Sequence, residues 1–138
     1  MRGKEISNRI VMTAHLTHFA ENNMFSERHV AYFRERARGG VGMIIMEATA
    51  VHPTSHQFKE IVFGWRPELV EWYEKIARGV HEFGGTALAQ LWHSGHHCSG
   101  INSRLPVWAP SAMPDVWFRE MPKAMEVEDI EELVICPR

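Results

Sequence analysis

Three short apolar segments alternate with two amphipathic segments between residues 9 and 91. The apolar segments are RIVM (9–12), VGMIIM (41–46) and TALAQL (86–91). The second is continuously apolar, which is typical of a strand that is buried on both faces. The two intervening segments have helical periodicity, so the order β-α-β-α-β predicts a parallel sheet with right-handed crossovers.

The first predicted helix has a recognisable start and end. Ser26 is a suitable N-cap, and Val30, Phe33 and Ala37 recur on one helical face. The Gly-Gly pair at 39–40 is expected to end the helix and to turn the chain into the second strand.

The second predicted helix is the clearest element of the sequence. Pro67 occupies the position expected of a first helical residue, and a second Gly-Gly pair, at 84–85, ends the segment. Its apolar residues recur at spacings of four and three, and they are Leu69, Tyr73, Ile76, Val80 and Phe83. This spacing predicts one buried helical face. A further helix, acidic in its first turn, is predicted at EVEDIEELV (126–134).

A doubly wound sheet and a (β/α)8 barrel both begin with this order of elements. No G-x-G-x-x-G turn follows the first strand, which argues against a dinucleotide-binding fold. The long polar loops all follow strands, and barrel active sites lie on that face. The sequence therefore predicts an α/β chain that forms the N-terminal portion, about three β/α units, of a (β/α)8 TIM barrel. Residues 1–138 would be one partial domain, truncated relative to the roughly 250 residues of a whole barrel.

Composition excludes several classes of protein. The chain is 45% hydrophobic and 23% charged with a formal net charge of -2, which argues against nucleic acid and anionic membrane surfaces as partners. No apolar run approaches the roughly 20 residues of a membrane span. Two cysteines make no disulfide framework, so a cytoplasmic location is expected. Unpaired edges of an incomplete sheet would favour self-association.

Residues 93–126 show no regular periodicity and contain four prolines and two tryptophans. They predict a long loop after the third strand, and loops of this length usually serve as lids or binding loops. The loop begins with a cluster of polar residues, His93, His96, His97 and Cys98. A structural zinc site needs four ligands in a closed tetrahedron, and this spacing matches no usual pair of ligands. We therefore expect polar residues at a barrel mouth and no metal ligands, with a metal site as the alternative.

Gln90 lies at the end of the third predicted strand. An amide in a buried strand costs about 1–3 kcal/mol if its hydrogen bonds are not made. Two interpretations are open at this point. The amide either bonds to the backbone of a neighbouring loop, or it engages a ligand such as the pyrimidine edge of a flavin, which presents acceptor, donor and acceptor in a row.

Four segments occur in an order and at a spacing that resemble a known family. They are NRIVMTAHLTHFAENN (8–23), GGVGMIIMEATAVHP (39–53), QLWHSGHH (90–97) and WAPSAM (108–113). Together they resemble the N-terminal part of the old yellow enzyme family of NADH:flavin oxidoreductases, in particular the branch of 2,4-dienoyl-CoA reductase and trimethylamine dehydrogenase. The resemblance implies an FMN-dependent (β/α)8 barrel that passes hydride from NAD(P)H through the flavin to an activated alkene or a similar small acceptor.

The resemblance also implies cofactor-binding residues. The backbone of a segment just past the first strand would run along the flavin ring, and its residues are Thr13, Ala14, His15 and Leu16. Ala48 would lie against the isoalloxazine, and Gln90 would bond the pyrimidine. Leu16 stands where trimethylamine dehydrogenase has the cysteine that binds its flavin covalently, so non-covalent FMN is expected here. His15 would make a polar contact near the reacting part of the flavin, or else bond a backbone carbonyl.

The family's catalytic and phosphate-binding residues lie on later strands, so none can be assigned in this chain. An iron–sulfur cluster is expected only in a longer parent protein. Two alternatives to the flavin enzyme stay open: an inert truncated fragment, and a different metal-dependent β/α-barrel enzyme that uses the histidine cluster. The isolated 138-residue chain is expected to be inactive.

Overall fold

A computed structural model describes Gly3 and residues 5–135 of the chain. The helices are α1 (Glu27–Arg38), α2 (Leu69–His81) and α3 (Val127–Ile135), with a short 3₁₀ turn at Pro53–Ser55. The strands are β1 (Val11–Met12), β2 (Met43–Ala50), β3 (Val62–Phe63), β4 (Thr86–Trp92), β5 (Trp108–Ala109) and β6 (Lys123–Ala124). The predicted β-α-β-α-β order is confirmed, with β3 as an additional short strand before α2.

The sheet is centred on β2, and each of its pairings is parallel, as predicted. On one edge β2 pairs with β1 at Met43 and Ile44, and with β3 at its last two residues. On the other edge β2 pairs with β4 along its whole length. The second strand begins two residues later than the predicted 41–46 and ends four residues later, because EATA (47–50) continues it. Glu47 and Thr49 are polar, yet both are buried and hydrogen-bonded to the surrounding structure.

The pairing of β2 with β4 contains one irregularity. Ile45 pairs with Leu88 and Ala48 pairs with Gln90, so three steps on β2 correspond to two steps on β4. One extra residue on β2 is therefore accommodated between these pairs, which is a β-bulge. A bulge bends the strand and changes the direction of the side chains that follow it.

Helices α1 and α2 pack together over one face of this sheet. The core cluster between them combines residues of both helices, β2 and the adjoining turns: Phe25, Phe33, Ala37, Ile44, Met46, Val62, Leu69, Ile76 and Val80. Ser26 is the N-cap of α1, as predicted. The predicted face of α1 is confirmed for Phe33 and Ala37, Val30 is half-buried, and His29 is fully buried beside them.

The ends of α2 differ from the prediction. The helix begins at Leu69 rather than Pro67, and it ends at His81, so the helical period does not extend to Phe83. That ring is 37% exposed and lies 5.3 Å from the guanidinium of Arg34 instead of entering the core. The chain then turns through Gly84, whose φ of 74° is the left-handed conformation that glycine adopts without strain.

The sheet has an exposed strand at β4, and the long loop follows that strand. Within the described residues β4 pairs with β2 alone, and its residues 89–91 are exposed. The long loop (93–126) is not wholly irregular, because β5 and β6 form a small parallel pair within it. The acidic helix α3 follows at Val127, close to its predicted start. No helix among the described residues combines the length and hydropathy needed to span a membrane.

Candidate functional site at the carboxyl ends of the strands

Strands β2 and β4 are parallel and end side by side at the pair Ala50 and Trp92. Strand β1 ends beside Ile44, and the segment that follows it continues along β2 as far as Glu47, where Thr17 is bonded. The segment 13–19 follows β1, and the long loop follows β4. The predicted cofactor residues all come from this edge. A site that is shared among several strand ends is the arrangement in which β/α barrels place their active sites.

Ala48 and Gln90 are direct register partners across β2 and β4. Ala48 is buried, and its side chain is a single methyl group. Gln90 itself is exposed, so the premise that its amide is buried and must find a protein partner is wrong for this chain. The reason is that β4 is an edge strand here, and water can satisfy the amide. A small buried residue and an exposed amide thus lie side by side across the two strands.

The segment after β1 has alternating exposure. Thr13 and His15 are exposed, whereas Ala14 and Leu16 are half-buried. The Nε2 atom of His15 lies 2.9 Å from the hydroxyl of Tyr32 on α1, and the two rings meet edge to face. Among the described residues, His15 is thus bonded to a side-chain hydroxyl and not to a backbone carbonyl. A contact between this segment and a cofactor stays a prediction.

Sequence reasoning missed a buried polar cluster of Thr17, His29 and Glu47. Glu47 is 1% exposed, and its Oε2 atom accepts hydrogen bonds from the backbone N–H of Thr17 at 2.9 Å and from its hydroxyl at 2.5 Å. The Nε2 atom of His29 lies 3.1 Å from Thr17 Oγ1 and 3.2 Å from Glu47 Oε1. A carboxylate within an otherwise apolar strand was the available signal, because a buried charge requires donors around it.

The electrostatics of Glu47 follow from these contacts. Burial raises the pKa of this carboxyl group, but the contacts with His29 and Thr17 outweigh the burial, and the pKa lies below its usual value. Glu47 is therefore ionised at neutral pH. Its Oε1 atom has no hydrogen-bond partner of good geometry among the described residues.

A second polar chain connects the loops that follow β2 and β4. His93 Nε2 lies 2.9 Å from Thr54 Oγ1, which lies 2.8 Å from His52 Nδ1. His52 Nε2 lies 3.0 Å from Glu132 on α3, and its ring stacks on Trp108 at 4.6 Å. Burial, together with the nearby His52, lowers the pKa of His93 to about 4, so this ring is neutral at physiological pH.

The members of the predicted polar cluster face different partners. His93 bonds Thr54, whereas His97 lies 3.0 Å from Asp115, and Cys98 is buried while His96 is exposed. Within Gly3 and residues 5–135, no three His, Cys, Asp or Glu side chains converge as a metal site would require. The absence of a bound metal stays a prediction.

Parallel strands with the two helices packed over one face are the arrangement of the first β/α units of a barrel. Comparison with known proteins identifies the family. The model of the NADH:flavin oxidoreductase / NADH oxidase family matches residues 1–135, and the chain belongs to this family. The predicted family and fold class are thereby confirmed.

Individual relatives agree with this assignment. The chain is 36% identical over 131 residues to a probable N-methylproline demethylase of Rhizobium meliloti and 33% identical over 135 residues to an NADH oxidase of Thermoanaerobacter brockii. These matches cover 94% of this chain but 19% and 20% of the relatives. An old yellow enzyme homologue from Zymomonas mobilis superposes with a TM-score of 0.83 at 27% identity, over 94% of this chain and 39% of that one. The chain thus spans about a fifth of the length of these two curated relatives.

Proposed function

We propose that the chain forms the part of an FMN-dependent NAD(P)H oxidoreductase that holds the flavin ring. The observation that carries the proposal is the register pairing of Ala48 with Gln90 at the carboxyl edge of the sheet. A flat ring needs a small residue beneath it and an amide at its polar edge, and this pair supplies both. When bound, FMN supplies the hydride chemistry between NAD(P)H and an activated alkene or a similar small acceptor.

The protein's own residues bind and orient the ring in this proposal. The Gln90 amide offers two donors and one acceptor to the pyrimidine edge. Ala48 leaves the ring face unobstructed, and the backbone of residues 13–16 lines the ring from the side of β1. Leucine at position 16 has no nucleophilic atom, so the flavin is held non-covalently. The acceptor is a small molecule, and the residues that select and protonate it are unknown in this chain.

The alternatives are separated by simple measurements. A metal-dependent barrel enzyme would need converging ligands, whereas the histidines of residues 93–97 face separate partners. Visible absorption of the purified protein distinguishes a flavoprotein, which is yellow, from a zinc protein, which is colourless. An inert fragment would bind FMN weakly or not at all. An iron–sulfur cluster belongs to the proposal only for a longer protein that contains this chain.

Gln90→Leu tests the proposal directly. Leucine keeps the approximate size of the side chain and removes its donors and acceptor. Loss of one or two hydrogen bonds, about 1 kcal/mol each, should raise the Kd for FMN about fivefold to thirtyfold and shift the reduction potential of the flavin. The measurement is FMN fluorescence titration with the protein expressed from its complete reading frame. A Kd and a potential equal to those of the wild type would show that Gln90 is not a flavin ligand.

Ala48 provides an independent test with its own matched control. Ala48→Trp should abolish most flavin binding because the indole would occupy the position of the ring, whereas Ala48→Gly should bind FMN nearly as the wild type does. Flavin occupancy is measured from the ratio of visible to ultraviolet absorbance, and folding from circular dichroism. Full occupancy in a folded Ala48→Trp protein would contradict the proposed position of the ring.

A further inference from the structure

Glu47 lies in the bulge of β2, and the bulge decides which side of the sheet its neighbours face. Side chains of a regular strand alternate, so Ile44, Met46 and Ala48 would share one side. In the structure Ile44 and Met46 pack into the core beneath the helices, but Ala48 does not belong to that core. The extra residue between Ile45 and Ala48 has therefore shifted the alternation by one position.

The shift exchanges the positions of Glu47 and Ala48. Glu47 faces the helix layer together with Met46, since its carboxylate contacts His29 of α1. Thr49 also faces that layer, because its hydroxyl lies 2.7 Å from the hydroxyl of Tyr73 on α2. Ala48 faces the opposite side of the sheet, beside Gln90. Without the bulge, the carboxylate of Glu47 would stand on the side where Ala48 now stands.

The hydrogen bonds of the cluster fix the orientation of the His29 ring. Its Nδ1 atom accepts the backbone N–H of Ser26 at 3.0 Å, so the ring proton must be on Nε2 if the ring is neutral. That N–H faces the hydroxyl of Thr17, and Glu47 Oε1 lies 3.2 Å from the same nitrogen without hydrogen-bond geometry. Glu47 is thus a buried anion surrounded by donors from the segment 13–19 and from the first turn of α1, where the helix dipole favours negative charge.

We propose that Glu47 is a positioning residue for the flavin site. Its carboxylate pulls the bulge towards the helix layer, which turns Ala48 to the open side of the sheet. The same carboxylate holds Thr17, and thereby the segment 13–16, at the strand end. Glu47 does not touch the flavin in this account, and the inference rests on the proposed function. An apolar residue at 47 would fill the core but would leave the N–H of the half-buried Thr17 without this acceptor.

Glu47→Gln tests the inference because an amide cannot replace the carboxylate. In either orientation its NH₂ group meets a donor: the N–H of His29 on one side or the N–H of Thr17 on the other. We expect the Kd for FMN to rise about tenfold and the visible circular dichroism of the bound flavin to change. Amide hydrogen exchange of residues 13–19 should also accelerate about tenfold. Each tenfold change corresponds to about 1.4 kcal/mol of free energy. The protein is expressed from its complete reading frame.

Thr49→Val is the matched control. Thr49 lies two residues beyond Glu47 on the same strand and on the same side of the sheet. The substitution removes the hydrogen bond between Thr49 and Tyr73 on α2, which does not involve the segment after β1. Both variants should lower the free energy of unfolding, and only Glu47→Gln should weaken FMN binding. Thr17→Val, at a half-buried position, removes one of the two donors and should give a smaller change in the same direction if Glu47→Gln does not fold.

The outcomes separate the two proposals. Wild-type FMN binding with an unchanged Kd in both Glu47→Gln and Thr17→Val overturns the positioning role alone. Equal weakening of FMN binding in Thr49→Val also overturns it, because the effect would then follow general stability. A wild-type protein that binds no FMN overturns the proposed function and this inference with it. Selective weakening, with faster exchange confined to residues 13–19, supports it.

Discussion

Two regions of the molecule are stabilised by different interactions. One is the layer of strands and helices between residues 11 and 92, and the other is the long loop (93–126). In the first region, apolar side chains of α1, α2 and β2 fill one core. In the long loop, carboxylates accept backbone N–H groups: Asp115 bonds the amides of Trp117 and Phe118, and Glu120 bonds that of Gly100. The loop's large apolar side chains are mostly exposed, and they are Ile101, Leu105, Met113, Val116, Trp117 and Met121.

This contrast suggests that most of the free energy of folding comes from the first region and that the long loop is available for contacts with other molecules. Burial of apolar surface drives folding of the first region. The long loop has little apolar burial of its own, and exposed aromatic and aliphatic side chains of this number usually mark a surface that contacts something else. The loop begins at His93, three residues after Gln90.

The largest expected effect concerns the 138-residue chain on its own. The exposed residues 89–91 of β4 and the apolar surface of the long loop should cause self-association, because unpaired strand edges pair with other chains. The family resemblance places the phosphate-binding residues on later strands, so under the proposed function these 138 residues would bind FMN without those contacts. At about 1.5–3 kcal/mol each, their absence should weaken FMN binding by several orders of magnitude. Light scattering and an NADH oxidation assay with added FMN measure both effects. A monodisperse monomer with saturable oxidation above the free-flavin background would contradict this prediction.

A pair of truncations compares the two regions directly. Phe33→Ala should lower the free energy of unfolding by about 3–5 kcal/mol, since the ring is 1% exposed in the core. Trp117→Ala should change it by less than about 0.5 kcal/mol, since that ring is 79% exposed. Urea denaturation followed by circular dichroism measures both. Similar losses in the two variants would show that the long loop is part of the folding unit.

A smaller, pH-dependent effect is expected in the long loop. The hydrogen bond with His97, together with those from the amides of Phe118 and Trp117, lowers the pKa of Asp115 from 3.8 to about 2. A folded-state pKa below the unfolded value stabilises the fold above about pH 4, and the contribution is lost as the pH falls towards 2. Amide exchange of residues 117–118, corrected for the intrinsic rate, should therefore accelerate between pH 5 and pH 3. In Asp115→Asn this acceleration should disappear, and its persistence would assign the effect to another group.

The smallest expected signal is the zinc content. His93, His96, His97 and Cys98 face separate surroundings, so dialysed protein should contain far less than one zinc per chain. Elemental analysis measures this, with the His97→Ala variant as a control for non-specific binding. A stoichiometric zinc that disappears in the variant would instead make the start of the long loop a metal site.

Local pattern was sufficient for the order of elements and for the family. The apolar run of β2 and the spacing in α2 depend on neighbours a few residues away, and they predicted a parallel sheet with two covering helices. The motifs around residues 13–16, Ala48 and Gln90 gave a candidate site, and the role of these residues in binding a flavin stays a prediction. The same local reasoning wrongly placed Phe83 on the buried face of α2. The apolar spacing continues to Phe83, although the helix ends at His81.

Only the tertiary structure decided the direction of the side chains at the site. The bulge between Ile45 and Ala48 depends on pairing with β4, some forty residues away, and no period within β2 reveals it. The partner of Glu47 is Thr17, 30 residues earlier, and His52 meets Glu132 across 80 residues. A buried carboxylate needs donors that the fold brings next to it, and the register of a strand depends on its neighbouring strand. Both partners are distant in the sequence, so the local pattern does not reveal them. The order of the elements could therefore be predicted from local sequence, whereas the side of the sheet that Ala48 faces could not.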